Sequence, residues 1–179
     1  MDVRARNLAD VLLSLQGRRG RVERVEEALQ AMFPGFRVRV DSRFGRVVLV
    51  GEEDGVELPP PNLPDGLVKL VAIMTAVELN PSLLLVDEIE DSMHARLLEY
   101  TIDVLNELDI PVLVATHSPI VVDLTSPERV LIVRRSPHEG TTVESIRDPE
   151  RLSERLRELG IALSDYIYGA TSDPAGSKT

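Results

Sequence analysis

The chain has 179 residues, 43% of them hydrophobic, enough for one good core and a length that suits a single domain or one lobe of a larger one. It has no cysteine, which excludes a disulfide framework and any thiolate metal site; no apolar run reaches the ~20 residues that span a bilayer, so a cytoplasmic chain without signal peptide or membrane anchor is expected. A formal net charge of -10 excludes a general nucleic-acid sleeve, and DNA contact would need a local patch, for which Arg18, Arg19, Arg21 and Arg24 are the candidate cluster against the plainer reading of a solvated helix face.

Leu8, Val11, Leu12 and Leu15 recur at helical spacing, as do Val22, Val25, Leu29 and Met32, which predicts two amphipathic helices closed by Pro34 and Gly35. Phe36, Val38 and Val40 alternate with Arg37 and Arg39; Val47 to Val50 follow after a turn at Ser42 to Gly45, so a hairpin is expected. Gly51 to Gly55 reads as a further turn, with Glu52 to Asp54 as its solvated acids. Pro59, Pro60, Pro61 and Pro64 then make a stiff connector.

From Asp65 to Leu79 nearly every residue is apolar, Lys69, Thr75 and Glu78 excepted, which predicts a largely buried helix ended by Asn80 and Pro81. Leu83 to Val86 form a short apolar run, expected as a central parallel strand covered on both faces, and it finishes in Asp87 and Glu88. Met93, Leu97, Leu98, Thr101, Val104, Leu105 and Leu108 mark a helix, and a second apolar strand at Val112 to Ala115 ends in Thr116 and His117. Strand, helix, strand is a parallel crossover. Val130 to Val133 and Thr142 to Ile146 flank a turn at Ser136 to Gly140; Asp148 caps and Pro149 opens a helix that Gly160 closes, and Ser172 to Thr179 read as a disordered tail. The expected class is α/β, with parallel central strands, an N-terminal helical and hairpin module over residues 1–62, a core over 63–169 that ends in a hairpin and helices, and a tail over 170–179.

In an open parallel sheet, ligands gather beyond the carboxyl ends of the strands, so Asp87, Glu88, Thr116 and His117 are expected near one another. An aspartate at a strand end can hold magnesium directly or through water, and the adjacent glutamate can accept a proton from an attacking water. A histidine on the neighbouring strand end can hydrogen-bond a terminal phosphate. Each feature alone has a plainer reading: the acids start a loop and cap the next helix, and His117 merely ends a strand. Apolar strand, acid pair, amphipathic helix, apolar strand and histidine in that order favour the chemical reading.

These residues carry a resemblance. Leu83 to Glu88 resemble the Walker B strand and catalytic glutamate of ABC-type ATPases, Glu90 to His94 occupy the position of their D-loop, and Val112 to Pro119 resemble their switch-histidine loop. Leu63-Pro64-Asp65-Gly66 with Lys69 resembles the signature segment of the SMC-like and RecF-like branch of AAA-type ATPases. The resemblance runs from about Leu8 to Gly169, and implies a P-loop NTPase-type lobe. It implies that Asp87 binds magnesium, Glu88 activates water and His117 contacts the terminal phosphate. Asp65 and Gly66 of the signature, with Asp91 and Ser92 of the D-loop, would bind ATP across a homo- or heterodimer. Pro64 stands where the signature offers a serine, Ile89 where proline is common, and Ala95 follows His94 where proline is also common.

No segment matches G-x-x-x-x-G-K-[ST], and the only lysines are Lys69 and Lys178. Backbone amides and a lysine of that loop supply most of the grip on phosphates. The chain is therefore expected to bind ATP poorly alone and to need a Walker A segment, from a missing N-terminal region or from a partner chain. Two other readings stand beside this one: a non-catalytic regulatory or dimerisation lobe, and a Toprim-like magnesium-dependent nuclease built on Glu52, Glu53 and Asp54.

Overall fold

Leu8, Ala9, Leu12 and Leu15 line one face of α1 (Leu8–Leu15), and Val25, Ala28 and Leu29 line one face of α2 (Arg21–Met32), so both helices bury an apolar stripe as their spacing predicts. The computed structural model describes residues 7–16, 21–43, 45–138 and 140–171. The chain forms two units, the first ending at Ala115 and the second beginning at Thr116. The expected tail from Ser172, and Arg18 and Arg19 of the candidate basic patch, lie outside the described residues.

In the first unit Gly35, at φ +82°, turns the chain out of α2 into an antiparallel sheet of order β1 (Phe36–Arg43), β2 (Arg46–Glu53), β3 (Val56–Leu58). The expected turn at Gly51 to Gly55 is shorter than the sequence suggested. β2 runs on through Glu53, and Asp54 (φ +49°) with Gly55 (φ +79°) makes a two-residue turn that adds β3, with Glu53 opposite Val56. Gly51 lies inside the strand because the space its side chain would fill is taken: a Cβ there would stand 2.6 Å from Leu63 Cδ2 and 2.7 Å from Phe36 Cε1. Phe36 and Leu49 of this sheet join Leu8, Leu12, Leu29, Leu67 and Leu70 in one core.

A 3-10 turn at Pro60–Asn62 leads through buried Leu63 into α3 (Asp65–Glu78), which is buried from Leu70 to Thr75 as its composition predicts. Glu78, buried at its end, pairs with Arg24 Nε of α2 at 3.0 Å. Arg24 is thus a tether between α2 and α3, although its side chain stays mostly exposed. The crossover follows as β4 (Leu84–Val86), α4 (Ala95–Asn106) and β5 (Val112–Val114), with β4 and β5 parallel and Leu85 opposite Leu113. α4 is shorter than expected: Met93 precedes it and Leu108 follows it.

One expectation fails here. The strand Leu83 to Val86 is not covered on both faces. Leu84 is buried, but Leu85 is 64% and Leu113 54% exposed, and Leu83 on the same side is exposed too. A parallel pair is ordinarily sandwiched; this one has its core on one side only.

The second unit holds α5 (Pro119–Asp123), a 3-10 turn at Pro127–Arg129, the hairpin β6 (Leu131–Ser136) and β7 (Gly140–Ser145), α6 (Pro149–Leu159) and α7 (Leu163–Thr171). Val122, Leu152, Leu156, Leu163 and Ile167 form its core, with Ile132 packed against it. The Asp123 carboxylate accepts from the Ser164 N–H at 2.8 Å and from its Oγ at 2.9 Å, joining α5 to the start of α7. Asp148 caps α6 by accepting from the Arg151 N–H at 3.1 Å, and Gly160 at φ +65° closes it, both as the sequence indicates. On the other face of the hairpin Leu131, Val133 and Val143 are exposed.

Candidate functional site

Asp87 and Glu88 sit where the β4–β5 ladder loses its register. The Ala115 N–H donates to the Val86 carbonyl at 2.8 Å, and the Ala115 carbonyl accepts from the Ile89 N–H at 3.3 Å. A regular parallel ladder holds one residue between two such bonds; here it holds both Asp87 and Glu88, as in a bulge. Glu88 absorbs the extra residue by entering the left-handed region at φ +45°, at a cost on the order of 1 kcal/mol for a residue with a Cβ. Both acids are exposed, while Ile89 immediately after them is fully buried and pins the bulge to the core.

The turn beyond is fastened at the Glu88 carbonyl, which accepts from the Asp91 N–H at 2.9 Å. It accepts a second bond, from Lys69 Nζ of α3, at 2.5 Å. Ser92, also left-handed at φ +61°, follows Asp91, and its Oγ lies 3.4 Å from Asp91 Oδ1. Its carbonyl meets Gly66: a Cβ on Gly66 would stand 2.5 Å from it, so only glycine permits this approach of the α3 N-terminus to the turn. His94 then caps α4, its Nδ1 accepting from the Leu97 N–H at 3.3 Å.

Six of the seven predicted site residues therefore lie in one region of the first unit: Asp87 and Glu88 in the bulge, Asp91 and Ser92 in the turn, Asp65 and Gly66 at the start of α3. Pro64 holds the N-cap position of α3 without a side-chain cap, as its lack of a hydroxyl requires. The seventh, His117, belongs to the second unit, where it is exposed, beside Thr116, whose Oγ1 accepts from the Ser118 N–H at 2.9 Å. Lys69, Ile89 and His94 have structural roles that the sequence reading did not assign. For Lys69 only the position was legible, one helical turn beyond Asp65 and Gly66, and not the main-chain oxygen it reaches.

Glu52 and Glu53, two of the acids of the nuclease reading, are the last residues of β2, and Asp54, the third, opens the two-residue turn into antiparallel β3. Among the described residues no group of three or more His, Cys, Asp or Glu side chains is placed to hold a metal ion. A shallow cavity of about 550 Å³, lined by Arg43, Arg46, Val48, Pro59 and Pro60, contains none of the predicted site residues. Among the described residues no helix is long and apolar enough to cross a membrane.

The fold is that of a P-loop NTPase head. The structure resembles an SMC ATPase from work on ATP-driven dimerization and DNA stimulated activation, at TM-score 0.56 and 14% identity over 84% of this chain and 97% of that one. It also resembles the Smc head domain of Pyrococcus furiosus bound to the C-terminal domain of ScpA (TM-score 0.57, 12% identity, 80% of this chain and 39% of that one). The Smc head domain of Pyrococcus yayanosii matches similarly (TM-score 0.57, 16% identity, 82% and 30%). Residues 3–123 match the family described as AAA domain, putative AbiEii toxin, Type IV TA system, and the chain belongs to that family, an ABC- and SMC-like group of AAA ATPases.

Curated relatives point the same way. The molybdenum import ATP-binding protein ModC of Rhizobium johnstonii is 29% identical over 157 residues, 76% of this chain, and a putative ABC transporter ATP-binding protein of Streptomyces coelicolor is 26% identical over 114 residues, 63% of this chain. The chain spans 44% of the length of each.

Proposed function

We propose that this chain is the hydrolysis half of an ATPase head, in which Asp87 holds magnesium, Glu88 takes the proton of the attacking water and His117 contacts the terminal phosphate. The observation that carries this reading is the bulge, which lifts two adjacent acids out of the ladder at a strand's carboxyl end, where α/β folds bind ligands. Asp65 and Gly66, with Asp91 and Ser92, would meet a nucleotide held by the opposite subunit of a dimer. The packing of Gly66 on Ser92 supports their acting as one surface.

The donor set suits magnesium bound with a nucleotide. Magnesium keeps several waters and takes one or two carboxylates besides phosphate oxygens, so a single aspartate is enough and a three-acid cage is not required. When bound, the ion neutralises phosphate charge. Glu88, adjacent in sequence to Asp87, then needs only to orient and deprotonate a water.

The phosphate loop would come from elsewhere, either a segment of the same protein or another chain. Its absence from these 179 residues is one support; the open face of Leu83, Leu85 and Leu113 in the first unit, and that of Leu131, Val133 and Val143 in the second, is another. In this reading residues 1–62 form the leading module and 63–169 the hydrolysis core. The alternative is a regulatory lobe without turnover.

Magnesium-dependent ATP hydrolysis by the chain alone and by the chain completed with a phosphate-loop lobe separates the two, with Glu88→Gln as control. Turnover only in the completed form, lost in the control, is the expected result. No turnover in any completed form would leave the regulatory lobe, and undiminished turnover in Glu88→Gln would remove Glu88 from the reaction.

A further inference from the structure

Lys69 stands on the fifth residue of α3, one turn beyond Asp65 and Gly66, and its ammonium bonds the main-chain carbonyl of Glu88 at 2.5 Å. Lys69 reaches a neutral backbone oxygen, 19 positions on in the sequence, that also receives the Asp91 N–H. An ammonium on a carbonyl makes a charge-assisted bond, stronger than a neutral one. It falls on a peptide group that flanks the left-handed Cα of Glu88.

We infer that Lys69 is a positioning residue for Glu88: it holds the carbonyl of the bulge and thereby fixes the backbone that carries the carboxylate. The role also links two parts of the site. Asp65, Gly66 and Lys69 share the first turns of one helix, so a shift of the α3 N-terminus moves the ammonium that fastens Glu88. A ligand engaging Asp65 and Gly66 is then read at Glu88 within the same subunit. The catalytic consequence rests on the proposed ATPase reading; the backbone consequence does not.

Two measurements on the full chain and its completed form test this. In the isotope-labelled chain, Lys69→Met moves the Glu88 Cα and Cβ resonances away from left-handed values. It speeds exchange of the Asp91 amide about tenfold, the scale expected for losing one hydrogen bond to a charged group. Amides within Leu70 to Thr75 stay protected, which separates the effect from unfolding of α3. Lys69→Arg, which keeps a cationic donor, restores the wild-type resonances. Unchanged Glu88 resonances in Lys69→Met, or an arginine variant that behaves like the methionine one, would overturn the inference.

In the completed ATPase, Lys69→Met lowers kcat about tenfold or more with KM little changed, and Lys69→Arg recovers most of it. A raised KM with kcat intact would overturn the positioning role. If the completed form shows no turnover while the resonances respond as stated, the ATPase reading fails and the Lys69 clamp stands.

Discussion

Gly66 packs so closely on the main-chain carbonyl of Ser92 that a Cβ in its place would stand 2.5 Å from that oxygen. The neighbour is backbone, so it cannot swing aside as a side-chain tip could. Gly66→Ala gains about 1 kcal/mol of helix propensity in α3 but must displace either the turn or the helix, an overpacking cost of about 1–3 kcal/mol. The variant is expected to be no more stable than the parent in urea unfolding and to shift the resonances of Asp91 to His94. A variant stabilised by a full kcal/mol, with those resonances in place, would show that the turn yields freely.

Ile89 is the buried anchor of the bulge, with its N–H on the Ala115 carbonyl and its side chain fully enclosed. Ile89→Ala is expected to cost about 2–4 kcal/mol, the range for deleting such a side chain from a close-packed core. In chemical denaturation the midpoint should fall without a change in slope. A loss below about 1 kcal/mol would mean that the core closes over the gap, and that the bulge does not depend on this anchor.

Much of this arrangement was legible because periodicity and punctuation reported it directly. The run from Asp65 to Leu79, the strand-end acids, the Asp148 cap and the Gly160 stop each follow from one local rule. β3 was missed although Asp54-Gly55 is a strong two-residue turn signal, because the acids around it invited reading the stretch as a solvated loop. The open face of β4 could not be read from an apolar run, since a strand covered on one side and one covered on both have the same composition when a partner is to cover the second. Lys69 was the harder case: its bond is to a main-chain oxygen, and no pattern of side chains announces which carbonyl a lysine will reach.

The charged face of the leading hairpin should respond to acid. Asp41 accepts from Arg43 Nε and Arg39 Nη1, each at 3.0 Å, and Glu57 from Arg43 Nη2 and Arg39 Nη2, each at 2.6 Å. The Arg43 guanidinium first, and Arg39 with the Ser42 N–H after it, holds the Asp41 carboxyl below its ordinary 3.8; Arg43 chiefly holds that of Glu57 below 4.5. Groups lowered by folding stabilise the native state above their unfolded values, and the contribution is lost as pH falls through the folded ones. Amide exchange in β1 to β3, corrected for its intrinsic pH dependence, should therefore show protection declining below about pH 4.5, the range of unperturbed carboxylates. Glu57→Gln and high salt should both flatten that decline. Protection that is flat in the parent down to pH 2 would mean that these pairs add nothing.

Leu85 and Leu113, opposite each other in the parallel pair, are each more than half exposed, whereas Leu84, which precedes Leu85 and faces the other side of the pleat, is buried. The three positions therefore separate folding from docking. Leu85→Lys and Leu113→Lys remove little that the chain itself buries, so each should change its unfolding free energy by no more than about 0.5 kcal/mol. Leu84→Lys places a charge in the core and should abolish the fold. If a phosphate-loop lobe covers this face, each exposed leucine it buries contributes about 1.5–3 kcal/mol, so either lysine variant should weaken association by about tenfold or more. Titration of the folded variants with that lobe measures it. Unaltered affinity in both would mean that the lobe docks elsewhere, and a Leu85→Lys chain that fails to fold would mean that this face is already closed within the chain.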